Sequence, residues 1–124
     1  MKRKVMIILF ASTFGLTTLL VSGCSTPVKT YSAAEIEVET KKINEFFEKT
    51  FSEQLKRSPM FQTYVGGKQG YGQLDDVSEA AALKELEITK KNLNALRAFD
   101  PNSLDDQAKI SYRLFEYLAE REIR

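Results

Sequence analysis

The 124-residue chain contains no His, no Trp and a single Cys, with only three Pro and a formal net charge of +1. Each shortage removes a class of function. Without His there is no catalytic triad, no imidazole base and no His-based metal site. One Cys makes no internal disulfide, no Cys-x-x-Cys redox pair and no structural zinc site. A charge near zero, spread along the chain, gives no electrostatic footprint for nucleic acid. No run of alternating β-branched and aromatic residues is sustained, and no hairpin turn joins two such runs, so strands are not expected. No internal repeat is present. The length allows one small domain.

The first residues are present in abundance of one kind. Lys2, Arg3 and Lys4 make a basic start, and Val5 to Val21 then runs without a charge. A basic start followed by an apolar stretch is a secretory signal. Ser12, Thr13, Gly15, Thr17 and Thr18 dilute it, and it falls short of the roughly 20 predominantly apolar residues of a spanning helix. Val21-Ser22-Gly23-Cys24 follows. Small residues before the cut suit a narrow peptidase site, and the run resembles a bacterial lipobox. The thiol of Cys24 is the nucleophile that would accept a diacylglyceryl group, and the freed amine would take a further chain. Residues 1–23 are therefore read as a lipoprotein signal peptide, Cys24 as the lipidation site, and 24–31 as a polar tether. Removal of the basic start leaves two more acidic than basic side chains. Ser25 stands where an Asp would resemble an inner-membrane retention signal. The expected location is the cell envelope, lipid-anchored through Cys24, at the outer membrane facing the periplasm if the host has two membranes.

Residues 32–124 read as all-α. Ser32-Ala33-Ala34-Glu35 has the form of a capping box. From Glu35 to about Arg57, the apolar residues Ile36, Ile43, Phe46, Phe47, Phe51 and Leu55 occupy about half a helical circumference. Ser58-Pro59 breaks this helix, and Met60, Phe61, Tyr64 and Val65 suggest a short helix opened by Pro59. Gly66-Gly67-Lys68-Gln69-Gly70-Tyr71-Gly72 lacks P-loop spacing and a preceding strand. A flexible loop is the favoured reading and a ligand-contacting loop the alternative. Asp75, Asp76 and Ser78 precede a third helix, about Glu79 to Phe99, where acidic residues suit a helix start. Its stripe is Leu83, Leu86, Leu93 and Leu96. Asp100-Pro101-Asn102-Ser103 breaks again, and Asp105 and Asp106 repeat the acidic start.

The last helix runs from about Leu104 to the end. Ile110, Tyr112, Leu114, Phe115, Tyr117 and Leu118 cover well over half its circumference, more than one packed face requires. Partners on two sides are expected, and with them a natural domain that continues beyond Arg124. The missing C-terminal region or a partner helix would lie against Ile110, Leu114, Phe115 and Leu118.

Several segments together resemble a bacterial family called domain of unknown function 885. They are Phe46-Phe47-Glu48-Lys49-Thr50-Phe51, Arg57-Ser58-Pro59, Phe61-Gln62-Thr63-Tyr64-Val65-Gly66, Asp75-Asp76-Val77-Ser78, Phe99-Asp100-Pro101 with Leu104, and Ile110-Ser111-Tyr112-Arg113-Leu114-Phe115. The resemblance spans about Lys42 to Glu120. It implies a mostly helical lipoprotein similar to zinc-dependent hydrolases or peptidases, with a His-Glu-x-x-Pro-Gly-His-His run far toward the C-terminus of much longer members. Nothing of that run exists here. The expectation is thus the N-terminal helical segment of a larger domain, with no catalytic, cofactor-binding or metal-ligating residue of its own, zinc belonging only to a full-length member. The alternatives are a complete small helical lipoprotein that serves as a binding or envelope-structural module, and a small enzyme built on Asp/Glu pairs, Lys or Tyr, for which no pair has a convincing context.

Overall fold

The computed structural model describes residues 29–124; the signal segment and Cys24 lie outside the described residues. Four α-helices follow one another: α1 Ala33–Arg57, α2 Pro59–Tyr64, α3 Glu79–Leu96 and α4 Asp106–Ile123, with a 3-10 turn at Pro101–Ser103 between the last two. No strand occurs among the described residues.

Each helix begins where a short polar side chain meets unpaired amides. The Ser32 hydroxyl accepts the Glu35 N–H at 3.3 Å, and the Glu35 carboxylate accepts the Ser32 N–H at 2.8 Å, completing the capping box. Ser78 caps α3 through Ala81 N–H, and Asp105 caps α4 through Ala108 N–H. Ser32→Ala is expected to destabilise the protein by about 1 kcal/mol. Thermal unfolding followed by circular dichroism checks this, and an unchanged midpoint would remove the cap from the account.

The core lies where α1, α3 and α4 meet the 3-10 turn. Ile43, Leu96 and Leu104 are fully buried, joined by Leu93, Ala108, Tyr112 and Ala119. Small Ala108 and Ala119 let α4 approach its neighbours closely. Phe46 packs against Phe47, Phe99 and Phe115 with ring centroids 5.6–5.9 Å apart. The tilted rings have the geometry aromatic pairs prefer. Contacts fix the directions. Thr40 Oγ1 accepts the Asp105 N–H at 3.0 Å, and Phe115 meets Phe46 and Phe47, so α4 runs alongside α1 in the same sense. Phe99 meets Phe46 while Glu85 meets Arg57, so α3 runs the other way.

Two stretches differ from the sequence reading. Only the second half of the α3 stripe is buried: Leu93 and Leu96 enter the core, whereas Leu83 is 57% exposed. Leu83 lies in the early turns of α3, at the end away from the buried Leu93 and Leu96. The glycine run also has a specific role at its start. Gly66, at φ +91°, sits just past α2, with its N–H on Thr63 O and the Gly67 N–H on Gln62 O. This is the Schellman stop, which favours glycine because a Cβ opposes a left-handed backbone. A Cβ on Gly70 would stand 2.9 Å from Pro59 Cβ, so this glycine permits the loop to fold back on α2.

Candidate functional site

Two features combine side chains from separate elements, a cleft and a polar clasp, and a third is the uncovered face of α4. The cleft opens where the C-terminal half of α1 parts from α3 and α4. Thr50, Gln54 and Arg57 come from α1; Glu85, Ile88, Thr89 and Asn92 from α3; Phe115, Leu118, Ala119 and Glu122 from α4. Its volume is about 320 Å³, at the low end for small-molecule pockets. A second hollow of about 660 Å³ shares Gln54, Arg57, Glu85 and Glu122 and extends to Ser58, Asp75, Asp76 and Lys84.

Arg57 stands between the two hollows. Its Nε donates to Glu85 Oε1 at 2.7 Å and its Nη2 to Glu85 Oε2 at 3.1 Å. The fork engages both carboxylate oxygens and ties the end of α1 to α3. Both partners are partly exposed, where an ion pair contributes little to stability. It bridges α1 and α3 at the cleft, whose lining includes both residues.

Ser58 and Asp75 superficially have the form of an activated hydroxyl, since Ser58 Oγ donates to Asp75 Oδ2 at 2.6 Å. The surrounding bonds give another role. Ser58 Oγ also accepts the Phe61 N–H, and Asp75 Oδ1 accepts the Met60 N–H at 2.9 Å. The pair caps α2. The sequence places Asp75 with the acidic start of α3, whereas in the structure it caps the preceding helix from the loop. Asp76 stays local, accepting the Ser78 N–H. A cap supplied from within the long connection, 15 positions past Met60, leaves no local spacing to detect.

The clasp joins the beginning of the described chain to the turn between α3 and α4. The Tyr31 hydroxyl donates to Asp100 Oδ2 at 2.5 Å, and Asp100 Oδ1 accepts the Asn102 N–H at 2.9 Å. The Lys29 ammonium lies 4.6 Å from the Tyr31 ring centre. The Tyr31 bond, followed by the Asn102 N–H, holds the Asp100 carboxyl below its ordinary value. Ser32 does the same for Glu35, and Ser78 for Asp76. A carboxyl with a depressed folded pKa adds stability that is complete above the unfolded value, near 4, and is lost as pH falls through the folded one. The melting temperature is therefore expected to fall on acidification below about pH 4. Asp100→Asn is expected to flatten that fall, and an identical profile in the variant would count against the clasp. Tyr112 acts on the opposite side. Burial first, then Glu116, raises its phenol pKa, so its contribution is lost as pH rises above about 10.

The uncovered face belongs to α4. At about 100° per residue, Ala108, Tyr112, Phe115 and Ala119 point toward the bundle. Ile110, Leu114 and Tyr117 lie on the other side, 61, 56 and 58% exposed, and Leu118 stands between the two faces at the edge of the cleft. The two-sided apolar pattern read from the sequence is thus present, with two corrections. Phe115 belongs to the inner face, against Phe46 and Phe47, and Leu118 borders the cleft, so of the four residues assigned to a partner, Ile110 and Leu114 remain on the outer face.

The zinc implied by the family resemblance does not fit this chain's residues. The sequence has no His. Among the described residues, no three of His, Cys, Asp and Glu are gathered to hold a metal ion. Nor is any described helix long and apolar enough to cross a membrane.

No curated protein and no solved structure matches the chain. A family model does, over residues 59–124, from the start of α2 through α4. That stretch is just over half of the chain. It holds the Ser58–Asp75 cap's target helix, the Asp100–Pro101 turn and both faces of α4, and on it the chain belongs to the family described as "Bacterial protein of unknown function (DUF885)".

Proposed function

We propose that this protein is a lipid-anchored component of the bacterial envelope, carried on Cys24, whose helices form the leading layer of a larger helical body resembling a zinc-dependent hydrolase or peptidase. In this reading the metal ligands and the general base lie outside these 124 residues. The helices described here build one wall of the larger body and catalyse nothing by themselves. The cleft between α1, α3 and α4 would border its substrate space.

The observation that carries the reading is the outer face of α4. Three large apolar side chains, Ile110, Leu114 and Tyr117, stand in solvent opposite the buried face of the same helix, within the family match. Covering such a face is favourable by roughly 25 cal/mol per Å² of apolar surface, and further helices of the same body would do so. A second reading, a complete small lipoprotein with an envelope partner, draws on the core around Ile43, Leu96 and Leu104, which is closed without outside help.

Reading the DNA downstream of codon 124 separates the two. An open frame that continues to a His-Glu…His-His motif is the expected result. A stop followed by unrelated sequence would overturn the larger-body reading and leave the small lipoprotein.

A further inference from the structure

We infer that the outer face of α4 is a helix-packing seam selective for an acidic amphipathic helix. The inference rests on the reading of that face as a packing surface and adds the chemistry of its occupant. Ile110, Leu114 and Tyr117 are followed by Arg121 at steps of four, three and four residues. That alternation keeps successive side chains on one line facing a second helix. A lipid surface needs only an apolar face and imposes no such register.

Charge supplies the selectivity. Arg121 continues the seam and Arg113 stands beside it, both exposed. Neither takes part in an ion pair among the described residues. The acidic groups nearby are already engaged. Arg97 reaches across from α3 to Glu116 at 2.9 Å and to Glu120, and Lys109 holds Asp106. Glu122 lines the cleft on the other flank. The seam therefore presents apolar side chains with two uncommitted guanidinium forks, whose geometry matches carboxylates. An opposing helix with Leu-type seam residues and flanking Glu or Asp fits it. One with flanking Lys does not.

The test titrates the full chain, held in phosphatidylcholine nanodiscs, with two labelled helical peptides that share one leucine seam and differ in Glu or Lys flanks. Empty nanodiscs give the background. The Glu peptide is expected to bind about tenfold more tightly, the scale of one or two partly exposed ion pairs. The preference should vanish in Arg113→Gln/Arg121→Gln and reverse in Arg113→Glu/Arg121→Glu. Both substitutions fall at exposed positions, and unchanged circular dichroism confirms the fold. Leu114→Ser should weaken both peptides.

Equal binding of the two peptides, lost in Leu114→Ser, would overturn the acidic selectivity and leave the packing surface intact. Failure of both to bind would overturn the packing surface as well. Arginine-dependent recruitment to phosphatidylglycerol vesicles, with no binding of either peptide, would overturn the proposal in favour of a lipid headgroup.

Discussion

Leu96→Ala is expected to destabilise the protein by about 3 kcal/mol. Leu96 is fully buried at the end of α3 among Ile43, Leu104 and Tyr112 of the same core. Truncation removes the transfer energy of the lost carbons and leaves a cavity that the three helices close only in part. Small domains have a total stability of about 5–15 kcal/mol, so one such change takes a large share. Leu83→Ala, on the same helix and of the same chemistry, is the internal comparison. Leu83 is mostly exposed, and its loss should stay within about 0.5 kcal/mol. Urea unfolding of the two variants measures both values. Equal destabilisation by the two would contradict the core as described.

Replacement of Cys24 by Ser is expected to abolish incorporation of labelled palmitate and to move the protein from the detergent fraction to the soluble one. Cys24 is the only thiol in the chain, so no other side chain can form the thioether. Each buried CH₂ of an acyl chain contributes about 0.8 kcal/mol, which makes one chain a marginal anchor and two a stable one. Residues 29–124 contain no helix able to span a bilayer in their place. Fractionation with mass measurement of the mature N-terminus reads the result. A Cys24→Ser protein that is cleaved normally yet still needs detergent would defeat the lipobox reading.

What the sequence disclosed, and what it withheld, follows from the range of the interactions. The capping box at Ser32 and Glu35, the break at Ser58-Pro59 and the turn at Asp100-Pro101 are local chemistry and were legible as written. So was the double face of α4, because periodicity reports every apolar side of a helix. Periodicity does not report which side has a neighbour. Phe115 therefore belonged equally to either face until the rings of Phe46 and Phe47 placed it inside. Leu83 looked like core for the same reason. The cleft depends on the divergence of α1 from α3, which no single segment encodes. The Arg57–Glu85 fork spans 28 positions and the Tyr31–Asp100 bond spans 69, and neither separation leaves a mark in local spacing. The Gly66–Gly67 stop did carry a signal, since glycine directly after a helical segment is the usual stop. The density of glycines in that loop reads as flexibility throughout and hides the stop at its start.

The two ends of α2 are fastened to the loop that follows it: Asp75 binds its first turn, and Gly66 and Gly67 close its last. No residue of this six-residue helix is buried. A segment with few buried contacts opens at low free energy, in units set by its shared bonds. Met60 and Gly67 amides, at opposite ends of α2, should therefore exchange with deuterium together and well before those of Leu93 or Tyr112. Loss of the Asp75 carboxylate in Asp75→Ala should speed exchange at Met60 and spread to the Gly67 end, while the amides of the main core keep their protection.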